Sequence, residues 1–435
     1  MRVLLISPDR KEIVAARARG ARRLKAPFPP LSLLQVAALT PPDIEVALVD
    51  EAVQEVDDAA PCDLVGITAF TSSAPRAYDI AERFRARGIP VVIGGMHASA
   101  CPEEALKHCD AVVIGEAEGK WPRVLADARM ESLQRVYRSE RYPDIRAAPV
   151  PRRDLMQREK YMVPDTVQAS RGCPHECAFC SVSVFFGRRV RRRPVEAVAE
   201  EVASLPGRYV VFVDDNIMTA PGYARDLFEQ LLGAGKRWLG QASTTVLENA
   251  ELMRLAARSG CRGLFVGLET LSDAALDHMN KGFNVVGKFK EMVKRLHDAG
   301  IGVIGSFMFG FDGEEEGVFE RTARFAEEAR IDVPQYSILT PLPGTPLYAQ
   351  IEAEGRIIDR DWSHYDGGHV VFAPRGTSAE KLAEGLKAAL RHSYSRLGIL
   401  RRLFGSPSRI SVMLPLNLAF RRRAIAFATG RSRST

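Results

Sequence analysis

Three cysteines crowd into eight residues of this chain and together can hold a metal cluster. Cys173, Cys177 and Cys180 lie in the segment RGCPHECAFC, residues 171–180. Three thiolates on one short loop can ligate three irons of a four-iron, four-sulfur (4Fe-4S) cubane. Because no fourth cysteine is near in the sequence, the fourth iron keeps an open position. An open iron can bind a small molecule and pass one electron to it.

Zinc is the alternative metal for such a motif. Structural zinc sites close four ligands around the ion, usually from two spaced pairs. His175 stands between two of the cysteines on the same loop, and the chain's other cysteines form no spaced pair beside a histidine cluster. An odd total of seven cysteines also argues against a disulfide framework. The spacing therefore favours an iron–sulfur cluster in a reducing compartment.

The cysteine loop follows the first of six strands predicted in the second part of the chain. Apolar runs there alternate with helical patterns such as residues 194–205 and 286–300. This alternation predicts a parallel sheet, and six strands make most of a TIM-type barrel, whose active site lies at the carboxyl ends of the strands. The predicted strands are 167–170, 209–213, 238–243, 263–267, 302–308 and 335–339.

The first part of the chain shows the same alternation. Its clearest helical pattern, residues 74–88, is amphipathic and ends in glycine. Five short apolar runs around it predict a Rossmann-like (flavodoxin-like) α/β domain with helices on both faces of a parallel sheet. The predicted strands are 3–6, 45–49, 64–68, 90–93 and 111–114.

Composition and the proline- and charge-rich boundary segment then divide the chain into four parts. Residues 1–140 form the Rossmann-like domain, and the proline- and charge-rich segment 141–164 reads as a linker. Residues 165–350 form the partial barrel. Residues 351–435 form a helical C-terminal region with a basic tail.

A Cys-x3-Cys-x2-Cys loop directly after a strand resembles the signature of the radical SAM superfamily, over about residues 165–345. The resemblance implies that S-adenosyl-L-methionine (SAM) binds the open iron and is cleaved reductively to a 5'-deoxyadenosyl radical. It also implies SAM contacts at the carboxyl ends of successive strands. These are Phe179 beside adenine, Asp214, Asp215 and Asn216 at the methionine amino group, and Gln241, Ser243 and Glu269 at the ribose and carboxylate.

Some of these assignments have plain structural alternatives. Glu269 would equally cap the helix that follows its strand, and Asp214 with Asp215 would equally form a solvated turn. Their order favours the functional interpretation, because all of them fall where a barrel must place its chemistry.

Residues 1–140 resemble the cobalamin-binding domain that precedes the barrel in one large radical SAM class. The segments VVIGGMH, residues 91–97, and VVIGEAE, residues 112–118, carry the resemblance. It implies contacts between this domain and the nucleotide tail of the cofactor. The implied residues are Thr68, Thr71 and Ser72 through their hydroxyls, Gly94 and Gly95 through close backbone approach, and His97 as a tail or interdomain contact.

The chain departs from that family at the cobalt ligand. The Asp-x-His-x-x-Gly signature is absent, because the corresponding segment, DEAVQE at residues 50–55, has neither histidine nor glycine. Cobalamin would then be bound without a histidine on cobalt. The alternative is a flavodoxin-like domain that holds no cofactor.

Together the two resemblances imply methylation of an unactivated carbon. One SAM molecule would methylate cobalamin, and another would supply the radical that removes hydrogen from the substrate. The substrate would be a small molecule or a lipid: a lipid, a tetrapyrrole or another secondary metabolite. An external flavodoxin- or ferredoxin-type reductant would supply the electron. The alternatives are a cyclase or rearranging enzyme that uses cobalamin without methyl transfer, and an iron–sulfur sensor without turnover. Tyr336, Tyr365 and His369 are substrate-side candidates by their place after the late strands.

Positive charge is concentrated at the C-terminus. The chain has 60 Lys and Arg against 54 Asp and Glu, but eight arginines and no acidic residue follow Leu400. The rest is near neutral, which argues against a nucleic-acid partner. The adjacent apolar stretch 410–420 contains Pro415 and is too short to span a bilayer.

We therefore expect a solvated or dimer-contacting tail, with an anionic membrane surface as the alternative contact. The opening residues, MRVLLISP, have the pattern of a strand that ends in proline and not that of a signal peptide. We expect a cytoplasmic protein, peripheral to the inner face of the membrane if the tail binds there.

Overall fold

A computed structural model describes residues 1–21, 23, 25–314, 317–404 and 410–428 of the chain. Two parallel sheets of six strands each form its framework. The α/β architecture predicted from the sequence, a Rossmann-like domain followed by a partial barrel and C-terminal helices, is confirmed.

The N-terminal sheet is parallel throughout. Its strands are β1 (Arg2–Ser7), β2 (Glu45–Asp50), β3 (Leu64–Thr68), β4 (Val91–Gly94), β5 (Ala111–Val113) and β6 (Val136–Tyr137), in the order β2-β1-β3-β4-β5-β6. Alternate side chains of β1 enter different cores: Leu4 and Ile6 pack on one face, and Val3 and Leu5 on the other. Both faces are therefore buried, as continuous apolar strands predict.

The described residues of this domain form six helices, and all but the first contribute buried side chains to the cores on the two faces of the sheet. They are α1 (Lys11–Ala18), α2 (Leu31–Ala38), α3 (Ala74–Arg85), α4 (Met96–Ala100), α5 (Pro102–His108) and α6 (Trp121–Arg129). Five strands match the predicted ones to within one residue at each end. The sixth, β6, is too short to show a periodicity, since it has two residues and Val136 is 40% exposed.

The segment between the sheets, residues 141–164, packs on the N-terminal domain. It contains two single 3-10 turns, Arg153–Leu155 and Arg158–Lys160. The backbone N–H of Arg152 donates to the Leu34 carbonyl (3.0 Å), and the Tyr161 hydroxyl donates to Asp50 (2.9 Å). The connection is therefore fixed to the first domain by hydrogen bonds.

The second sheet is a partial barrel whose strands follow chain order, except that a short antiparallel hairpin intervenes near its start. The barrel strands are β7 (Thr166–Val167), β10 (Tyr209–Phe212), β11 (Arg237–Ala242), β12 (Cys261–Glu269), β13 (Gly302–Phe309) and β14 (Val333–Ile338), and the hairpin is β8 (Ser170–Arg171) with β9 (Arg191–Arg192). All six predicted strands are present. In the described residues β7 and β14 do not pair, so the barrel is open.

Most helices of this region pack outside the sheet, whereas the first lies at its carboxyl edge, and large apolar side chains fill the core. The helices are α7 (Ser181–Phe186), α8 (Val195–Ser204), α9 (Pro221–Gln230), α10 (Ala250–Arg258), α11 (Asp273–His278), α12 (Phe289–Asp298), α13 (Val318–Glu328) and α14 (Pro346–Ala353). Trp238 is 1% exposed, meets Phe212 edge to face (5.5 Å between ring centroids) and stacks on Phe228 (5.1 Å). Burying one large apolar side chain in this way contributes about 1.5–3 kcal/mol to the stability of the fold.

Three more helices, α15 (Ala379–Ser393), α16 (Arg396–Leu403) and α17 (Ile410–Ala428), complete the described chain. Arg402 has no exposed surface and donates to the Asn417 side chain (2.8 Å), which donates to the Asp332 carbonyl (2.8 Å). Met413, also fully buried, lies against Gly302 of β13. The expectation of a solvated tail is therefore wrong where Arg402 and Met413 are buried, but Leu400 (64%) and Leu418 (48%) on the same helices are exposed, and dimer contact stays a prediction. Arg409 and residues 429–435 lie outside the described residues.

None of the helices in the described segments has the length and apolar character required to cross a membrane. Pro415 lies inside α17 and does not end it.

Candidate active site

The cysteine loop leaves β8 through Gly172, whose φ is +92°. A Cβ there would lie 2.8 Å from the Arg189 carbonyl oxygen, so the turn requires glycine. The loop is then fixed to the barrel by backbone bonds: Ala178 N donates to the Met279 carbonyl (3.0 Å), and Leu347 N donates to the Ala178 carbonyl (3.0 Å). The three cysteines therefore lie on a preformed loop at the carboxyl edge of the sheet.

The chemistry of the three thiols fits an iron–sulfur cluster. Burial raises the pKa of each, to about 11 at Cys177. A structural zinc site needs a fourth ligand, and the histidine on this loop, His175, stacks on Phe283 (3.9 Å between ring centroids). Three thiols on one loop are the donor set of a cubane with one open iron.

Lys281 brings a positive charge to the cysteines. It is 8% exposed, forms an ion pair with Glu269 and lies 5.6 Å from the centroid of the Phe179 ring. Its charge opposes the rise that burial causes in the pKa of all three thiols. Burial alone would lower the pKa of Lys281, but Glu269 and the thiols outweigh burial and raise it. No sequence motif contains Lys281, so its role emerges only from the fold.

Glu269 lies at the end of β12 with a φ of +70°, a conformation that L-residues other than Asn and Asp rarely adopt. Its carboxylate is already engaged by Lys281. The predicted contact of Glu269 with the SAM ribose or carboxylate therefore competes with a buried ion pair, and the helix-cap alternative also fails because the cap of α11 is Ser272.

The two predicted aspartates behave differently. Asp214 has no exposed surface and accepts hydrogen bonds from Ala169 N (3.0 Å) and from the backbone and hydroxyl of Ser170 (2.5 and 2.6 Å). Because both carboxylate oxygens are already occupied, the predicted contact of Asp214 with the SAM amino group does not fit this geometry. A solvated turn does not fit either, because Asp214 is fully buried. Asp215 accepts from Gly172 N (3.3 Å) and keeps some exposure at the start of the cysteine loop. Burial raises the pKa of both carboxyls to about 6.

Other predicted SAM contacts come together at neighbouring strand ends. Asn216 donates from its side-chain nitrogen to the Ser243 hydroxyl (3.0 Å), and the Gln241 carbonyl accepts from Ile217 N (3.0 Å). This juxtaposition follows from the parallel pairing of β10 with β11. Their contacts with SAM stay a prediction.

A cavity of 810 Å³ lies between the carboxyl edges of the two sheets. Loops after β3, β4 and β5 form one wall, and α7 with the ends of β13 and β14 forms the other. Its wall includes Phe70, Thr71, Ser72, Met96, Gly115 and Lys120 from the N-terminal domain, and Phe179, Cys180, Phe185, Met308 and Tyr365 from the rest of the chain. The cysteine loop thus opens toward the Rossmann-like domain.

Some of the predicted cobalamin contacts border this cavity and others do not. Thr71 and Ser72 border it. At Gly95, where φ is +95°, a Cβ would lie 2.8 Å from the Thr68 hydroxyl, so this glycine serves the packing of the chain on itself. At Gly94 a Cβ would make only ordinary contacts of 3.6 Å with Val113. Packing alone thus accounts for glycine at position 95, and the contacts of Gly94, Gly95 and Thr68 with the cofactor stay predictions.

His97 is an interdomain contact. It is 1% exposed, its Nε2 lies 3.1 Å from the Tyr78 hydroxyl, and its ring meets Trp362 edge to face (5.2 Å between centroids). Trp362 belongs to the segment after the barrel. The geometry therefore fits the interdomain alternative better than a contact with the nucleotide tail.

A buried ionic network joins the two domains beside the cavity. Glu116, after β5, contacts the guanidinium of Arg171 on β8 (2.5 Å) and that of Arg191 on β9 (2.6 Å). Glu118 contacts Arg171 (2.7 Å). These residues are 53 to 75 positions apart in the sequence, so no local pattern indicates that they meet.

The three substrate-side candidates lie in different surroundings. Tyr365 borders the cavity and is held there because its hydroxyl donates to the Asp359 carbonyl (2.9 Å). Tyr336 is hydrogen-bonded to Ser393 (2.8 Å) and borders a second cavity of 450 Å³. His369 is exposed and pairs with Asp366 (3.0 Å). Of the three, Tyr365 alone is in position to contact a substrate in the larger cavity.

Comparison with known proteins matches both halves of the chain. Residues 167–326 match the radical SAM superfamily, and residues 21–125 match the B12 binding domain.

Two curated relatives are methyltransferases. The bacteriochlorophyllide d C-12(1)-methyltransferase of Chlorobaculum tepidum is 33% identical over 390 residues, covering 87% of this chain and 85% of that protein. The hopanoid C-2 methylase of Rhodopseudomonas palustris is 29% identical over 351 residues, covering 77% and 66%.

Solved structures share the fold. The cobalamin-dependent SAM radical enzyme OxsB, with aqua-cobalamin and SAM bound, superimposes with a TM-score of 0.71 at 14% identity over 98% of this chain and 72% of that one. The radical SAM methyltransferase TsrM from Kitasatospora setae, with cobalamin and a [4Fe-4S] cluster, gives 0.63 at 18% identity over 81% and 78%.

Proposed function

The chain belongs to the radical SAM superfamily, in the class with a B12-binding domain, and on that premise we propose that it methylates an unactivated carbon. Its cofactors are a 4Fe-4S cluster, SAM and cobalamin. The observation that supports this reaction is the single cavity bordered both by the cysteine loop, at Phe179 and Cys180, and by the loops of the B12-binding domain.

When bound, the cluster and SAM supply a radical that abstracts hydrogen, and cobalamin supplies the methyl group. The chain's own residues fix where this happens. Cys173, Cys177 and Cys180 hold the cluster, and Asp214 holds the strand before them through Ala169 and Ser170.

Phe179 places an apolar ring between the cysteine loop and the cavity. Glu116 holds the B12-binding domain against β8 and β9. Because both domains contribute walls, their contact encloses the cavity and limits the access of solvent to the reacting groups.

The proposed substrate is a tetrapyrrole or a comparably large, mainly apolar molecule. Support comes from the relative that acts on bacteriochlorophyllide d and from the apolar wall formed by Phe70, Met96, Phe185 and Met308. A hopanoid-type lipid is the second substrate to test, because the hopanoid C-2 methylase is also similar. An external one-electron reductant is required in either case.

The test is anaerobic reconstitution with iron, sulfide, hydroxocobalamin, SAM, a reductant and a bacteriochlorophyllide substrate. We expect 5'-deoxyadenosine, S-adenosylhomocysteine and a product heavier by one CH2. Formation of 5'-deoxyadenosine with a product of unchanged carbon count would instead indicate a cyclase or rearrangement. Absence of 5'-deoxyadenosine in a protein with a full complement of iron and sulfide would contradict the proposal.

Two cysteine variants, one at a cluster ligand and one elsewhere, serve as controls for this experiment. Cys177→Ala should lose iron, sulfide and all turnover, since a cubane ligand is removed. Cys62→Ala changes a partly buried thiol in the B12-binding domain, near the Ala60 carbonyl, and should retain all three.

A further inference from the structure

Within the described residues, a buried cation of the interdomain cavity forms no ion pair. Lys120 is 7% exposed and borders the cavity. Its ammonium donates to the Glu116 backbone carbonyl, but within the described parts of the chain it forms no ion pair with a carboxylate. A buried ammonium without a counterion is costly, so its position beside an open cavity points to an anionic ligand.

The neighbouring acidic groups are already neutralised. The two carboxylates beside Lys120, Glu116 and Glu118, are matched by two guanidiniums, Arg171 and Arg191. Two negative and two positive charges cancel within this group, so neither glutamate is left over as a counterion for Lys120. Consistent with this, burial lowers the pKa of Lys120, and the two glutamates only partly oppose it.

The position of Lys120 on its helix gives a second, independent reason. Lys120 immediately precedes α6, which is nine residues long and begins at Trp121. Helix N-termini carry a partial positive charge and favour anions, so a lysine there is unfavourable unless an anion binds. Gly115 leaves the space open, since a Cβ there would meet nothing within 4 Å except the Lys120 ammonium at 4.0 Å.

We infer that Lys120 is an anion-binding residue of the interdomain cavity and contacts the phosphodiester of the cobalamin nucleotide tail. The inference rests on the proposed use of cobalamin. The amide side chains of the corrin are neutral, so the phosphodiester is the anionic group that this cofactor brings. A substrate carboxylate has the same chemistry, and the experiment separates the two sources.

The test compares two corrins by absorption titration. Hydroxocobalamin carries the phosphodiester, whereas cobinamide keeps the corrin and lacks the nucleotide tail. Lys120→Met should weaken cobalamin binding by about 10- to 100-fold, the range expected for a hydrogen bond to a charged group, and leave cobinamide binding unchanged. Lys107→Met, which removes an exposed lysine of the same domain, should change neither constant.

Equal affinity of wild-type protein and Lys120→Met for cobalamin would overturn the inference, and a raised KM for substrate in that variant would assign Lys120 to a substrate carboxylate. An equal loss of affinity for cobalamin and cobinamide in Lys120→Met would also overturn the inference. Lys120→Gln keeps a donor for the Glu116 carbonyl and gives the same comparison if Lys120→Met does not fold.

The charge-retaining Lys120→Arg decides the case if neither neutral variant folds: retained preference for cobalamin over cobinamide supports the inference, and loss of that preference overturns it. Failure of the proposed function looks different. In that case wild-type protein binds neither corrin, or binds both without forming a methylated product.

Discussion

Glu116 of the B12-binding domain and Arg171 of the strand that leads into the cysteine loop form a buried ion pair, with 2.5 Å between Oε2 and Nη1. The Glu116 side chain is 2% exposed and that of Arg171 is 11% exposed. This pair couples the B12-binding domain to the strand that leads into the cysteine loop, so the position of that domain against the loop depends on it.

Glu116→Gln should therefore destabilise the domain interface. Arg171 and Arg191 would keep buried charges without a full counterion, which costs about 3 kcal/mol in the free energy of unfolding, measured with urea under anaerobic conditions. Iron and sulfide content should stay at the wild-type level, while product formation falls. Glu45→Gln, which breaks the exposed pair with Arg2, is the control and should leave unfolding unchanged. An equally small effect at Glu116 would contradict the role of this pair.

Lys281→Met should lower the midpoint potential of the cluster. Removing a positive charge beside the thiolates disfavours the more negative, reduced cluster, with a shift on the order of tens of millivolts. Redox titration followed by EPR measures it. The double variant Lys281→Met/Glu269→Gln removes the unpaired carboxylate as well and should recover part of the shift. Lys288→Met, at an exposed position nearby, is the control, and a similar potential for it and Lys281→Met would rule out the charge effect.

Glu314 should make stability depend on pH. Burial raises its pKa to about 7, although Thr270, Gly310 and Phe311 donate hydrogen bonds to it. Since the pKa is higher in the folded than in the unfolded chain, the folded state binds the proton more tightly. Its contribution is present below the unfolded value of about 4.3 and is lost as pH rises through about 7.

The measurement is the free energy of unfolding of wild-type protein and Glu314→Gln at several pH values. Wild-type protein should lose about 2 kcal/mol relative to the variant between pH 5 and 8. A constant difference across that range would show that Glu314 does not titrate there.

Met413→Ala should destabilise the barrel through its outer helix. Met413 is fully buried by α17 against β13, and truncating such a side chain costs about 2–4 kcal/mol. Leu418→Ala on the same helix removes a side chain that is 48% exposed and should cost much less. Denaturant unfolding of both variants checks this, and equal effects would mean that α17 is not held on the barrel through Met413.

The sequence by itself determined the strands and the cluster motif, because both are local. Apolar runs such as those of β3 and β11 reveal strands through residue type and periodicity over a few positions. The spacing of Cys173, Cys177 and Cys180 places three thiols on one loop whatever surrounds it. Parallel order also predicts that Asn216 and Ser243, at adjacent strand ends, meet, and they do.

Only the tertiary structure decided which charges meet and which side chains reach the cavity. Asp214 and Asp215 are neighbours in the sequence, yet one is enclosed by backbone donors and the other keeps its exposure, since successive residues after a strand point in different directions. Lys281 meets Glu269, and Glu116 meets Arg171, across loops whose course depends on helix packing and sheet register. Residue type and spacing report local geometry, whereas these contacts depend on the docking of one sheet edge against another.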